Sequence, residues 1–296
     1  MSTISKVAVA GASGLLGLPV VNQLLEDGFK VTVLARKGTS HTFPSGATVA
    51  EVDYDSPSSL IKALTGQDAV VSVIGFAGLS LQLPLVEAAV KAGVKRFLPS
   101  EFGGDAENDQ VSQLPMFHIK KTTKELLKKE AAAGKISYTL IANGPFFDTA
   151  MSYGMFVDLK GKKIRLWDGG ERRYSTTLLP AVAKAVSGVL KHPEETKNRV
   201  VFIRSASLTQ KEVLERAKKA VGGDGWTIET PSVTEHLKEA YKSLEKTGEI
   251  DRLAFITGAI WGEGYGSDFQ NLDNELLGIK DLNDAEIQEI IESFAK

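Results

Sequence analysis

The chain has 296 residues, 43% of them hydrophobic, a formal net charge of −2 and no cysteine. That is enough apolar material for one large α/β domain or two ordinary ones. The charge balance gives no general attraction to nucleic acid or to an acidic membrane, and disulfides, thiolate nucleophiles and cysteine metal sites are excluded. Residues 7–10 form a short, continuous apolar run, the pattern of a strand buried on both faces. Leu15, Leu16, Val20, Leu24 and Leu25 then recur at helical spacing, with Gly28 as the stop. Strands are predicted over 31–34, 47–52, 69–74, 96–98 and 137–141, and helices over 58–64, 85–92 and 120–133. Strand and helix alternate with short connections, which argues for a mainly parallel sheet covered on both faces.

The alternation changes near Pro145. Residues 163–166 and 172–176 flank Trp167-Asp-Gly-Gly170 and read as a hairpin. Helices follow over 180–190, 209–220, 235–245 and 284–294, with a strand over 200–203. The expected fold is α/β: a doubly wound, mainly parallel Rossmann-type sheet over 1–150, and a smaller substrate domain over 151–296, some segments of which return to the first. No targeting leader is read in the opening residues. The apolar stretch around 70–90 is broken by Gly75, Gln82, Pro84 and Glu87, so it is not a membrane span, and a cytoplasmic protein is expected.

Gly11, Gly14 and Gly17 follow the first strand and open the first helix. In that context Gly11 permits a tight turn, Gly14 lets the backbone approach a pyrophosphate, and Gly17 lets the helix pack closely on the sheet. The N–H groups of residues 13–16, from Ser13 to Leu16 by way of Leu15, are expected to face the anion. A site for NAD usually carries an acid near the end of the second strand, to hold the ribose hydroxyls. Here Arg36 and Lys37 stand there, cations suited to a 2′-phosphate, so NADP(H) is the expected cofactor.

The chemistry has to lie further along. None of the six tyrosines has a lysine four residues later, so the Tyr-x-x-x-Lys pair of common short-chain dehydrogenases is missing. The four histidines are scattered without ligand spacing, and no metal site is expected. No Gly-x-Ser-x-Gly elbow is present. Lys120 falls at the edge of the apolar stripe of its helix and in the first turn, where the macrodipole disfavours a cation; Lys121, Lys124 and Lys128 are expected nearer the solvent face. A cation placed against both tendencies points to a local anion or a catalytic task. Phe146, Phe147, Met151, Tyr153, Met155 and Phe156, with Trp261, Tyr265 and Phe269, offer walls for an apolar pocket.

Gly-Ala-Ser-Gly-Leu-Leu-Gly, the Leu-Ala-Arg-Lys strand end, Phe97-Leu-Pro-Ser-Glu-Phe-Gly103 and Phe117-His-Ile-Lys120 occur in that order. The chain thereby resembles the isoflavone reductase-like group among the NmrA-like atypical short-chain dehydrogenases. The resemblance implies NADPH-dependent reduction of a small aromatic or conjugated substrate, with Lys120 as general acid/base. It also implies cofactor contacts from Gly75, Phe76, Ser100, Glu101, Phe102, Lys120, Asn143, Pro145 and Phe146. Ile119 stands where the family often has Asp, and the aromatic substrate loop diverges. A small-molecule substrate is expected, with neither nucleic acid nor membrane as partner; monomer and homodimer stay open, as does a role for His118. The alternative is a non-catalytic NADP-sensing regulator of the NmrA type.

Overall fold

The computed structural model describes residues 3–295. Six strands come first: β1 (Lys6–Ala10), β2 (Lys30–Arg36), β3 (Thr48–Val52), β4 (Ala69–Ser72), β5 (Arg96–Leu98) and β6 (Ser137–Ala142). Two short strands follow, β7 (Lys163–Arg165) and β8 (Tyr174–Thr176), then β9 (Arg199–Phe202), β10 (Ala206–Leu208) and β11 (Thr227–Glu229). The main sheet has the order β3-β2-β1-β4-β5-β6-β9, and every pairing in it is parallel. The chain therefore builds outward from β1 in one direction and then from β4 in the other. The crevice between the ends of β1 and β4 is the switch point where such sheets bind ligands.

Alternation along each strand feeds two cores. Val7 and Val9 face one layer and Ala8 and Ala10 the other. The first layer holds α1 (Gly17–Glu26); the second holds α2 (Pro57–Leu64), α3 (Gln82–Lys91) and, beyond the short α4 (Asp109–Gln113), α5 (His118–Ala132). After α6 (Phe147–Ser152) the chain sends α7 (Leu179–Lys191) back to pack on α1, where Lys191 Nζ lies 2.7 Å from Asp27 Oδ1, and β9 back to pair with β6. The helices α8 (Gln210–Val221), α9 (Val233–Thr247), α10 (Arg252–Trp261) and α11 (Asp284–Ser293) form the rest. A third core lies there, around Phe156, Tyr174 and Trp261.

The expected hairpin at Trp167 does not form. β7 pairs with β11 in parallel, and β8 pairs with β10 in antiparallel fashion. Asp168, Gly169 and Gly170 all have positive φ, and Trp167 is buried, stacked on His236 and Trp261. Its backbone N–H donates to Gln210 Oε1 at 2.9 Å. Burying the indole draws the chain inward, and the two flanking segments leave toward different partners.

A second correction concerns α5. Lys124 is buried and not solvent-facing: its side chain is 10% exposed and its ammonium donates to the carbonyl of Ala106. Lys120, Thr123, Lys124 and Leu127 share one side of the helix by i, i+3, i+4 and i+7 spacing, and the loop ahead of α4 covers that side. Lys128 is exposed and Lys121 half-buried.

Candidate active site

The glycine turn is built by close packing. Gly11 has φ +85°, and a Cβ there would come within 2.6 Å of the Val73 carbonyl oxygen; one on Gly17 would meet the Ala12 carbonyl oxygen at 2.4 Å. Both positions need glycine for reasons internal to the protein. Gly14 differs. Its nearest obstacle is the Gly11 carbonyl oxygen at 3.2 Å, and it borders a cavity of about 450 Å³. One expectation needs correcting here. The Gly14 N–H is not free, since it donates to Gly11 O at 3.0 Å. The N–H groups of Ser13, Leu15 and Leu16 have no backbone acceptor among the described residues. The turn thus presents open N–H groups at the N-terminus of α1, the arrangement that suits an anion.

The cavity lies in the crevice at the switch point. Of the residues singled out from the sequence, it collects Gly14, Leu15, Leu16, Gly75, Phe76, Ser100, Phe102, Lys120, Pro145 and Phe146. Ser100 bridges the ends of two strands: its hydroxyl donates to Ile74 O at 2.8 Å, and its N–H donates to Gln82 Oε1 at 2.7 Å. Arg36 and Lys37 are exposed at the end of β2, one strand away from the turn, and neither has an ion-pair partner among the described residues. Asn143 does not reach the cavity. It is fully buried, its amide N–H groups turned to Gly144 O at 2.6 Å and its Oδ1 without a partner. Glu101 does not line this cavity but borders a smaller one that Lys120 also borders, and His118 is exposed outside it.

Lys120 sits in the first turn of α5, after the single turn Pro115–Phe117. Helical side chains lean toward the N-terminus. The ammonium accordingly reaches back to donate to Glu101 O at 2.8 Å, lies 4.0 Å from Glu101 Oε2 and stands 5.3 Å from the centre of the Phe117 ring. Its side chain is 14% exposed. Burial pushes the Lys120 ammonium below the usual lysine range, and the Glu101 carboxylate opposes that only in part.

The walls are otherwise mostly apolar. Tyr153, Met155 and Phe269 join Phe146 there, while Phe147, Met151, Phe156 and Trp261 are core, and Tyr265 lies outside. Reading the sequence missed Leu79, Met116, Ile256 and Ala259. The last two belong to α10, whose apolar sequence has little one-sided pattern. The signal that could have found it is Asp251, whose carboxylate accepts the N–H of Ala254 as a helix cap. Among the described residues, no group of three or more His, Asp or Glu could hold a metal ion, and no helix is long and apolar enough to cross a membrane.

The NmrA-like family model matches residues 3–258, and the chain belongs to that family. It is 32% identical to "Oxidoreductase aprR" of Aspergillus flavus over 98% of this chain and 99% of that one. It is 30% identical to "Oxidoreductase poxI" of Penicillium oxalicum over 93% and 90%. The solved structure "AtPrR2 with NADP+ and (+)pinoresinol" superposes with a TM-score of 0.80, at 25% identity over 99% of this chain and 100% of that one.

Proposed function

We infer that this protein is an NADPH-dependent oxidoreductase that reduces a small aromatic or conjugated substrate, with Lys120 as its general acid/base. The observation that carries the reading is the position of Lys120. A mostly buried lysine borders an apolar cavity that opens beside a glycine turn, at the switch point of a parallel sheet. Two relatives along nearly the whole chain bear the name oxidoreductase, and the structural relative is a complex with NADP+ and (+)pinoresinol.

The residues present suit the dinucleotide. The open N–H groups of Ser13, Leu15 and Leu16 receive the pyrophosphate, and the lack of a side chain at Gly14 lets it come close. Arg36 and Lys37 hold the 2′-phosphate. Gly75, Phe76, Ser100, Phe102, Pro145 and Phe146 line the remainder of the dinucleotide's path. Bound NADPH supplies a hydride from C4 of its nicotinamide. Lys120 holds a proton at Nζ for the substrate atom that becomes negative, and the buried setting makes that proton easier to give than from a surface lysine. The aromatic and aliphatic walls exclude water and select a flat apolar substrate.

The test is a screen of aromatic ketones, enones and benzylic ethers for NADPH consumption, with product identification. Turnover of one class, lost in Lys120→Ala, supports the reading. A protein that binds NADPH and consumes none of it with any of these classes overturns it.

A further inference from the structure

Lys120 borders two cavities. One is the apolar cavity; the other is a small one of about 20 Å³, bounded by Glu101, Lys121 and Lys124 together with Ala106, Val111 and Phe117. A space of about 10–15 Å³ suffices for one water molecule. Glu101 borders only the small cavity, and its side chain is 8% exposed. Its Oε2 is 4.0 Å from Lys120 Nζ, too far for a direct hydrogen bond and close enough for one water to touch both. Half-buried Ser112 and Lys121 bring this small cavity near the surface.

A reduction that consumes one hydride also consumes one proton. A substrate filling the apolar cavity blocks the route from solvent to Lys120 on that side. We propose that Glu101 is a positioning residue that returns the proton to Lys120 through the small cavity, which the substrate does not fill. The proposal rests on the reading of Lys120 as acid/base group. After Lys120 has given a proton to the substrate, the Glu101 carboxylate takes one from solvent and passes it through a water in the small cavity to the neutral amine. Glu101 is then a carboxylate again and Lys120 an ammonium. The net transfer is one proton from solvent to substrate. The carbonyl of Glu101 holds the ammonium at 2.8 Å throughout, so one residue both anchors and reloads it.

The electrostatics suit this. Burial pushes the Glu101 carboxyl up and the Lys120 ammonium down, which narrows the difference in proton affinity between them. The other charged groups around the pair are Lys121 and Lys124 on α5 and Glu107 ahead of α4. Lys124 is held by Ala106 O and lies 3.9 Å from Glu107 Oε1, which leaves Glu101 as the carboxylate paired with Lys120.

The experiment titrates Lys120 by NMR in protein labelled with ¹³C at lysine Cε, the signal being identified by its loss in Lys120→Arg. In Glu101→Gln the Lys120 midpoint should fall by about 1–3 pH units, because the neighbouring negative charge is gone. In Glu101→Asp it should move less. A midpoint unchanged in Glu101→Gln overturns the proposal, and Glu101→Ala takes that place if the glutamine variant does not fold. With a substrate in hand, Glu101→Ala should turn over about 10²-fold more slowly, and formate should restore the rate saturably by entering the small cavity. A loss that formate does not restore, with an unshifted pH profile, makes Glu101 purely structural and also overturns the relay. The titration needs no turnover. A shifted midpoint in a protein that reduces nothing counts against the reductase reading alone, and a reductase whose Glu101→Gln variant keeps the wild-type rate and pH profile counts against the relay alone.

Discussion

Gly17 lies so close to Ala12 that a Cβ on it would sit 2.4 Å from the Ala12 carbonyl oxygen, whereas one on Gly14 would find nothing nearer than 3.2 Å. Two glycines of one turn are therefore needed for different reasons, and they should respond differently to substitution. Gly17→Ala should destabilise the fold by about 1–3 kcal/mol through overpacking, read as a lower urea midpoint. Gly14→Val should keep the fold and lose NADP(H) binding, read by calorimetry. A folded Gly14→Val protein with normal cofactor affinity would reduce the motif to an ordinary turn.

Arg36 and Lys37 are exposed cations without ion-pair partners among the described residues. A charge-assisted phosphate contact is worth about 1.5–3 kcal/mol, so NADP(H) should bind about tenfold to a hundredfold more tightly than NAD(H). Calorimetric titration of both cofactors checks this, and Arg36→Asp should erode the preference. Equal affinities in the wild type would remove the 2′-phosphate role.

If Lys120 moves the proton, Lys120→Ala should bind cofactor normally and lose about 10²–10⁴-fold in turnover. Lys129→Ala, on the exposed side of the same helix, should change little. Lys120→Arg keeps the charge but does not give up its proton near neutral pH. Activity restored by arginine would mean that the charge, and not proton transfer, is what the reaction uses.

Asp68 ties the start of β1 to β5. Its carboxylate accepts the N–H groups of Ser5 and Lys6, each at 3.0 Å, and pairs with Lys95 at 3.0 Å. Burial alone would raise its pKa; the hydrogen bonds outweigh that and hold it at about 2, below the ordinary value of 3.8. A depressed carboxylate stabilises the fold above its unfolded pKa and ceases to do so as pH falls through the folded one. The site is partly open to water, so Asp68→Asn should cost about 1 kcal/mol at pH 7. That difference should shrink as pH falls from about 4 to 2, measured by urea unfolding of both proteins. A cost that stays constant across this window would mean that charge is not its source.

The layered sheet was legible in the sequence because its signals are local. A buried parallel strand is a short apolar run, as in residues 7–10, and its helix repeats leucines at a fixed spacing before a glycine stop. The turn between them needs glycine where carbonyls crowd it, so Gly11 and Gly17 announce it. Lys120 stood out for a similar reason: a cation at the first turn, beside an apolar stripe, breaks two local rules at once.

Other features depended on distant partners. The hairpin at Trp167 was a sound local reading, but β7 and β8 found β11 and β10, and the buried indole decided between the alternatives. Lys124 has a surface residue's sequence, and only the loop carrying Ala106 buries it. The apolar cavity gathers α10 against residues more than a hundred positions earlier, and Glu101 meets Lys120 across 19 positions by a hydrogen bond from side chain to backbone. By itself the sequence determined which segments pair with the sheet and where its glycine turn lies, since period and backbone permissiveness are properties of short stretches. Only the tertiary structure decided which face of α5 is dry, what encloses the site and which carboxyl stands behind its lysine, because burial and proton affinity are set by neighbours that the chain brings from far away.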